Sequence, residues 1–522
     1  MHAMSERSQT LADLLRRTAR RHPHKRAIAC GDVAWTYAEF DALVSRLAAG
    51  LHAHGIVKST HVGVLSRNSH AFAALRFALA RLGAVLVPIN FMLKAAEVAY
   101  ILRHAGVRTL AIDEGLTDLG RDAARLDTQL ERFIALPGET SREPQGADLV
   151  SFATLAATRA ETPPVELTAS DLAQIVYTSG TESLPKGAML SHEAVIWQYT
   201  SCIVDGEMTA DDLMLHSLPL YHCAQLDVFL GPAVYLGCTN VITGVPSAEN
   251  LLPLLQRHRI TSFFAPPTVW ISLLRSPLFD KTDLSALKKG YYGASIMPVE
   301  VMREIQRRLP QVRLWNFYGQ TEIAPLATVL KPDDQLRKPG SAGRPALNVE
   351  TRVVDDAMRD VRVGDVGEIV HRSPQLLTGY YNDPERTAAA FEGGWFHSGD
   401  LAIVDDEGYI SVVDRKKDMI KTGGENVASR EVEEAIYGLT QVSEVAVIGL
   451  PHPRWVEAVT AVIVRKQGQS LSEQDVVDFC SRKLGGFKVP KGVVFVDALP
   501  KNPSGKLLKR ELRKQFEKHF AG

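Results

Sequence analysis

A chain of 522 residues with 45% hydrophobic and 23% charged content is long enough for more than one domain and has the make-up of an ordinary globular protein. A net charge of −1 gives no electrostatic reason to expect nucleic acid. The five cysteines, odd in number and without a C-x-x-C pair, argue against a disulfide scaffold or a cysteine zinc site and point to reduced thiols in a cytoplasmic protein.

The N-terminus lacks the continuous apolar run of a signal peptide. Residues 10–21 read as a helix with Leu11, Leu14 and Leu15 on one face and four arginines towards its end. It is expected to pack on the domain, its arginines facing the negative end of the helix dipole. Thr36 and Glu39 form a capping box for a helix reaching Gly50. A helix at 70–82, a turn at Gly83 and a strand at 84–89 follow, where Arg76, Arg81 and Pro88 argue against a membrane span. Residues 116–164 are polar and read as an irregular surface excursion.

The apolar run 172–176 then leads into Tyr177-Thr-Ser-Gly-Thr-Glu-Ser-Leu-Pro-Lys-Gly187. Backbone N–H groups, hydroxyls and one ammonium are what a polyphosphate needs to shed its water. This is not a Walker A loop, because Lys186 follows Pro185 and precedes Gly187. Strand and helix runs continue to alternate through residue 309, which predicts α/β layers around extended sheets.

Further along, Leu218-Pro-Leu-Tyr-His222 and Tyr291-Tyr-Gly-Ala-Ser295 end apolar stretches. Asn316-Phe-Tyr-Gly-Gln-Thr-Glu322 combines an aromatic ring, a permissive glycine, a hydroxyl and a carboxylate, which suit stacking, phosphate contact and Mg²⁺ ligation. A strand ending in a capped helix is its plain alternative. Short strands with Gly-Asp turns occupy 340–380, followed by Trp395-Phe-His-Ser-Gly-Asp400 and the charged junction Asp414-Arg-Lys-Lys-Asp418. Adjacent glycines in Lys421-Thr-Gly-Gly-Glu-Asn-Val-Ala428 would let a hairpin enter a narrow channel. Pro500-Lys-Asn-Pro-Ser-Gly-Lys506 presents one lysine on a rigid terminal turn.

Five of these motifs, in this order, resemble those of the adenylate-forming superfamily of acyl-CoA synthetases, aryl-CoA ligases, luciferases and peptide-synthetase adenylation domains. The resemblance covers nearly the whole chain. It implies an α/β fold: a large N-terminal region of two α/β subdomains plus a β-rich subdomain (residues 1–414), then a small mobile α+β C-terminal domain (415–522). It assigns Thr178, Ser179, Gly180, Thr181, Ser183 and Lys186 to the ATP phosphates, and Gly293, Ala294, Ser295, Tyr318, Gly319 and Gln320 to the adenylate. Thr321 contacts phosphate, Glu322 holds Mg²⁺, Asp400 and Arg415 take the ribose, and Lys417 is the hinge. Gly423 and Gly424 line the coenzyme A tunnel, with Lys421 and Asn426 approaching the adenylate. Lys506 becomes the catalytic lysine, with Thr181, Glu322 and Lys421 beside it. Glu182 and Ser183 depart from the family's small hydroxyl residue and glycine; Glu182 is expected to face solvent while Ser183 adds a hydroxyl.

The acid pocket implied by the resemblance includes His222, Cys223, Ala265, Gly319 and Ile323. Its apolar, uncharged character disfavours amino acids and dicarboxylates. The expected substrate is a medium- or long-chain fatty acid; an aryl or branched acid, or an acyl-AMP ligase that loads a carrier protein, is the alternative. The expected partners are the carboxylic acid, ATP and coenzyme A, without nucleic acid or stable membrane insertion; a homodimer is compatible.

Overall fold

Runs rich in valine, isoleucine and leucine pair into extended sheets, and the helices between them cover the sheet faces. The computed structural model describes residues 8–139, 142–178, 185–295, 297–422, 425–501 and 507–520. They fall into two units, the first drawn from 1–179, 185–351 and 371–396, the second from 352–370 and 397–522.

The first unit holds two sheets. In one, Leu172–Thr178, Val85–Pro88, His61–Leu65, Thr109–Asp113, Arg132–Leu136 and Leu149–Ser151 run parallel. Lys186–Ser191 and then Gly379–Tyr380 extend it antiparallel at one edge. In the other, the parallel neighbours Arg313–Gly319, Lys289–Gly293, Ser262–Phe264, Leu213–His216, Thr239–Ile242 and Arg26–Cys30 form the centre. Parallel strands deliver the residues after their C-terminal ends to one rim, where ligands bind in open α/β sheets. The first four of these strands thereby bring residues 320–322, Ala294 and Ser295, Ala265, and residues 217–222 to a common rim.

The helix Leu11–Arg21 buries Leu11, Leu14 and Leu15 and donates from Thr18 Oγ1 to Tyr235 O at 2.8 Å, so it packs on the domain as expected. His70–Leu82 is buried on every side except at Arg81, and Gly83 ends it with φ 66°. Inside it, Arg76 meets the fully buried Asp227 at 3.4 Å. Asp227 also accepts from Gln174 Nε2 at 2.7 Å and Tyr199 OH at 3.3 Å. Burial pushes its carboxyl up, against the pull of Arg76 and the two donors. Removing one partner of a buried pair strands the other charge, so Asp227→Ala should lower stability by about 3–5 kcal/mol. Urea unfolding reads this directly; an unchanged midpoint would mean that Arg76 has other partners.

The stretch 116–164 differs from its reading as irregular surface. It contains the helices Thr117–Ala124 and Phe152–Ala156 and the strands Arg132–Leu136 and Leu149–Ser151. These short strands at one end of the sheet sit among charged residues, which hid a five-residue run whose inner half is fully buried. All five cysteines are free and buried.

The second unit contains strands of the four-stranded sheet ordered Glu350–Val354, Val366–Arg372, Phe396–Val404 and Ile410–Arg415. It also contains a five-stranded sheet whose longest pair is Val442–His452 with Val456–Arg465. Asp414 closes the last strand of the former onto the helix Ser429–Tyr437: its Oδ2 accepts from Ser429 N at 2.6 Å and Ser429 Oγ at 2.8 Å. Lys509 continues this cluster, donating to Ser429 Oγ at 2.5 Å and pairing with Glu433 at 2.8 Å. Among the described residues, no helix is long and apolar enough to cross a membrane.

Candidate active site

The stem of the loop expected to bind phosphate is held on both sides. Leu172–Thr178 pairs with Lys186–Ser191 so that Thr178 lies opposite Lys186. Beneath the stem, the Tyr177 hydroxyl and His104 Nδ1 are 2.6 Å apart, and Tyr100 OH donates to Pro185 O at 3.1 Å. The Thr178 hydroxyl is buried and has no partner among the described residues, as befits a group waiting for an acceptor. Ser179, Gly180, Thr181 and Ser183, like Glu182, lie outside the described residues.

Lys186 is joined to two residues far along the chain. Its Nζ lies 3.2 Å from Glu322 Oε1 and donates to Tyr380 OH at 2.6 Å, while Tyr380 OH donates to the same Glu322 oxygen at 3.0 Å. Burial, followed by the negative charge of Glu322, raises the Tyr380 phenol, so it remains a donor. The triangle pairs one ammonium with one carboxylate at a sheet rim. Both contacts to Glu322 fall on Oε1. One carboxylate beside a phosphate site fits Mg²⁺, which commonly binds through one or two carboxylates and substrate oxygens while keeping several waters. Glu322 would hold the ion there, and the ion would neutralise phosphate charge.

Sequence reasoning missed Tyr380. It is on Gly379–Tyr380, whose pairing with Lys186–Ser191 carries it to the phosphate stem, and neither residue type nor spacing signals that pairing.

Thr321, Glu322 and Ile323 form one 3-10 turn after Gly319. A Cβ at Gly319 would sit 1.8 Å from Pro325 O, so only glycine fits that bend. The turn is tied down by Leu377 N donating to Glu322 O at 2.8 Å. Gln320 precedes it, and Tyr318 is only partly buried on the preceding strand. Thr321 Oγ1 lies 3.4 Å from Cys223 Sγ, which joins the nucleotide and acid residues of the rim. Burial pushes the Cys223 thiol up to about 12, so it is a neutral wall group rather than a nucleophile. His222 is exposed beside it and accepts from Ala224 N through Nδ1 at 3.1 Å. Ala265 and Ile323 are fully buried; Ala294 has φ 63°, and it and Ser295 are exposed.

The second unit holds the remaining residues expected in the site. Asp400 and Arg415 are register partners on adjacent strands and pair through Oδ1 and Nε at 2.6 Å, with the aspartate almost fully buried. Lys416 pairs with Asp356 and Glu368, as a charged surface residue does, and Lys417 follows in the turn. Lys421 lies opposite Asn426 in a hairpin, both exposed. Gly423, Gly424 and Lys506 fall outside the described residues.

The model of the AMP-binding enzyme family matches residues 15–381, and that of the AMP-binding enzyme C-terminal domain matches residues 431–506. A feruloyl-CoA synthase of Amycolatopsis sp is 36% identical over 98% of this chain and 100% of its own length. A long-chain-fatty-acid–CoA ligase of Mycobacterium tuberculosis is 36% identical over 93% of this chain and 94% of its own. Among solved structures, ATP-bound MatB from Rhodopseudomonas palustris superposes with a TM-score of 0.87 at 30% identity, covering 98% of this chain and 100% of that one. With the Thr178–Lys186 stem, the Lys186–Tyr380–Glu322 triangle and the Asp400–Arg415 pair on the page, the chain belongs to the AMP-binding enzymes of the adenylate-forming superfamily and is an ATP-dependent, AMP-forming acyl-CoA ligase that uses Mg²⁺ and coenzyme A.

Proposed function

We propose that the acid is an apolar monocarboxylic acid, seated between His222, Cys223, Ala265 and Ile323. The observation that carries this reading is the contact of Cys223 with Thr321, which sets a neutral, apolar wall against the nucleotide rim. An ammonium or a second carboxylate on the acid would need a buried countercharge. The fatty-acid expectation and the aryl or branched alternative share this pocket, and relatives bear names of both kinds.

On this reading Thr178 and Lys186 hold the phosphates, Glu322 faces Mg²⁺, and Asp400 with Arg415 takes the ribose. A carboxylate oxygen of the acid attacks the α-phosphorus, forming the acyl–phosphate bond as pyrophosphate leaves. Lys506 balances the charge that develops on the carboxylate and α-phosphate. The segment 415–522 then turns at Lys417, withdrawing Lys506 and bringing the Gly423–Gly424 hairpin to coenzyme A. The thiolate sulfur attacks the acyl carbon, and AMP leaves with its bridging oxygen. Domain turning between half-reactions assembles two sites from one chain. The enzyme is proposed to act in the cytoplasm.

Acid-dependent ATP–pyrophosphate exchange, with AMP and acyl-CoA as final products, tests the reading. Lys506→Ala should reduce exchange by about 100-fold or more. Thioester formation from supplied acyl-AMP should suffer far less, and equal loss in both halves would contradict domain alternation. Transfer to a carrier protein but not to coenzyme A would point to the carrier-loading alternative. Malonate or an amino acid used in preference to an octanoate-sized acid would overturn the apolar pocket.

A further inference from the structure

The wall behind the acid pocket is a block of stacked rings. Phe229 and Phe264 stack at 4.3 Å between centroids with 18° between their planes. Phe317 continues the stack from Phe229 at 5.8 Å and 14°, and Tyr291 packs against Phe229 at 5.1 Å. None of the four rings is more than 7% exposed. They share one apolar cluster with Ile323, and Ala224 packs against it, so the block adjoins the pocket.

Two chain relations fix its depth. Phe264 is the residue before Ala265, and its ring edge would lie 3.8 Å from a Cβ on Gly293, just before the Ala294–Ser295 loop. Phe229 follows Cys223 by six residues in one continuous run of helical turns, a rise of about 9 Å. The gap behind the two rings has no room for a water molecule. It is also lined by polar groups. Ser262 Oγ is buried there without a partner among the described residues. His216 is bridged between Asn240 Oδ1 at 2.9 Å and Gln225 Nε2 at 2.7 Å, all three residues fully buried. An alkyl chain is broader than a water molecule and cannot satisfy a hydroxyl. Passing the wall would require moving two interlocked rings into a packed core and opening a polar seam, both of which oppose binding.

We propose that Phe229 and Phe264 are the size-determining residues of the acid pocket and restrict this ligase to compact acids, ring-sized arylalkanoic or arylalkenoic acids and short branched acids, excluding long alkyl chains. This rests on the reading that the acid sits between Cys223 and Ile323. The two rings support one another and lean on a third, Phe264 backed by Phe229 and Phe229 by Phe317.

The test is an acid panel on the full-length enzyme with Mg·ATP, read first as pyrophosphate exchange and then as thioester. With 3-phenylpropanoate and palmitate as probes, the wild type should favour the ring acid by about 100-fold in kcat/KM. The double variant Phe229→Ala/Phe264→Ala should narrow that preference at least about tenfold, by raising palmitate turnover. Phe264→Leu, a gentler change, should narrow it partially if the double variant does not fold. Palmitate used by the wild type within about tenfold of the ring acid overturns the size limit but leaves the ligase reading intact. Folded variants with an unchanged preference overturn the assignment of these two rings. No exchange with any apolar acid removes the pocket reading itself, and the size limit with it.

Discussion

Glu322→Gln is expected to lower acid-dependent ATP–pyrophosphate exchange about 100-fold or more while moving the thermal midpoint by only a few degrees, roughly the effect of 1 kcal/mol. The amide keeps the shape of the carboxylate and can still accept from Tyr380. It loses the charge that faces Lys186 and that, on the proposed reading, would hold magnesium. Lys186 is 28% exposed and keeps water when its partner becomes neutral, so the fold is little affected. The chemistry has no such relief, because phosphate charge is balanced by groups fixed before the reaction begins. Tyr380→Phe removes a single hydroxyl from the same triangle and should cost about tenfold, visible as a higher KM for ATP. Wild-type exchange in Glu322→Gln would remove this residue from the metal site.

The second large effect concerns acid stability. His70, His192, His216 and His371 are buried in the first unit, and burial lowers each to about 4 from an ordinary value of 6.5. Between those values the unfolded chain binds more protons than the folded one, so stability is complete above about pH 6.5 and drains away as pH falls towards 4. Each group is worth about 3 kcal/mol across that window, and domains are stable by about 5–15 kcal/mol, so acid should unfold this unit well before most carboxylates titrate. Asp227 acts in the opposite sense, since its carboxyl is raised, but it is one group against four. The urea midpoint should therefore fall steeply from pH 7 to pH 5. A flat profile over that range would show that these rings are reached by protons without unfolding. His371→Leu should lower the proton uptake on unfolding by about one.

Which parts were legible follows from how each is encoded. Lys186, Thr321, Glu322 and Asp400 sit in contiguous strings whose residue types state their chemistry, and the alternation of strands and helices stated the fold. Tyr380 was hidden because its partner Lys186 is 194 residues away, and a tyrosine on a two-residue strand carries no local sign. The Arg76–Asp227 pair was hidden for the same reason: an arginine within an apolar helix reads as an interruption until its carboxylate is found on another element. The proposed aromatic wall was hidden, since its stacking depends on Phe229, Phe264 and Phe317 arriving from separate elements.

Asp414 gives the proposed turn at Lys417 a mechanical character. A pivot there would carry Ser429 and Lys509 away with the C-terminal segment and leave Asp414 behind. A carboxylate only 7% exposed would lose both donors on its Oδ2 at once, keeping Arg415 N on Oδ1 at 2.8 Å, and a buried charge short of donors is costly. The turned pose must therefore either open Asp414 to water or offer it fresh donors. On the proposed turn the joint would act as a detent with discrete stops, and the two bonds from Ser429 to Asp414 oppose leaving this one.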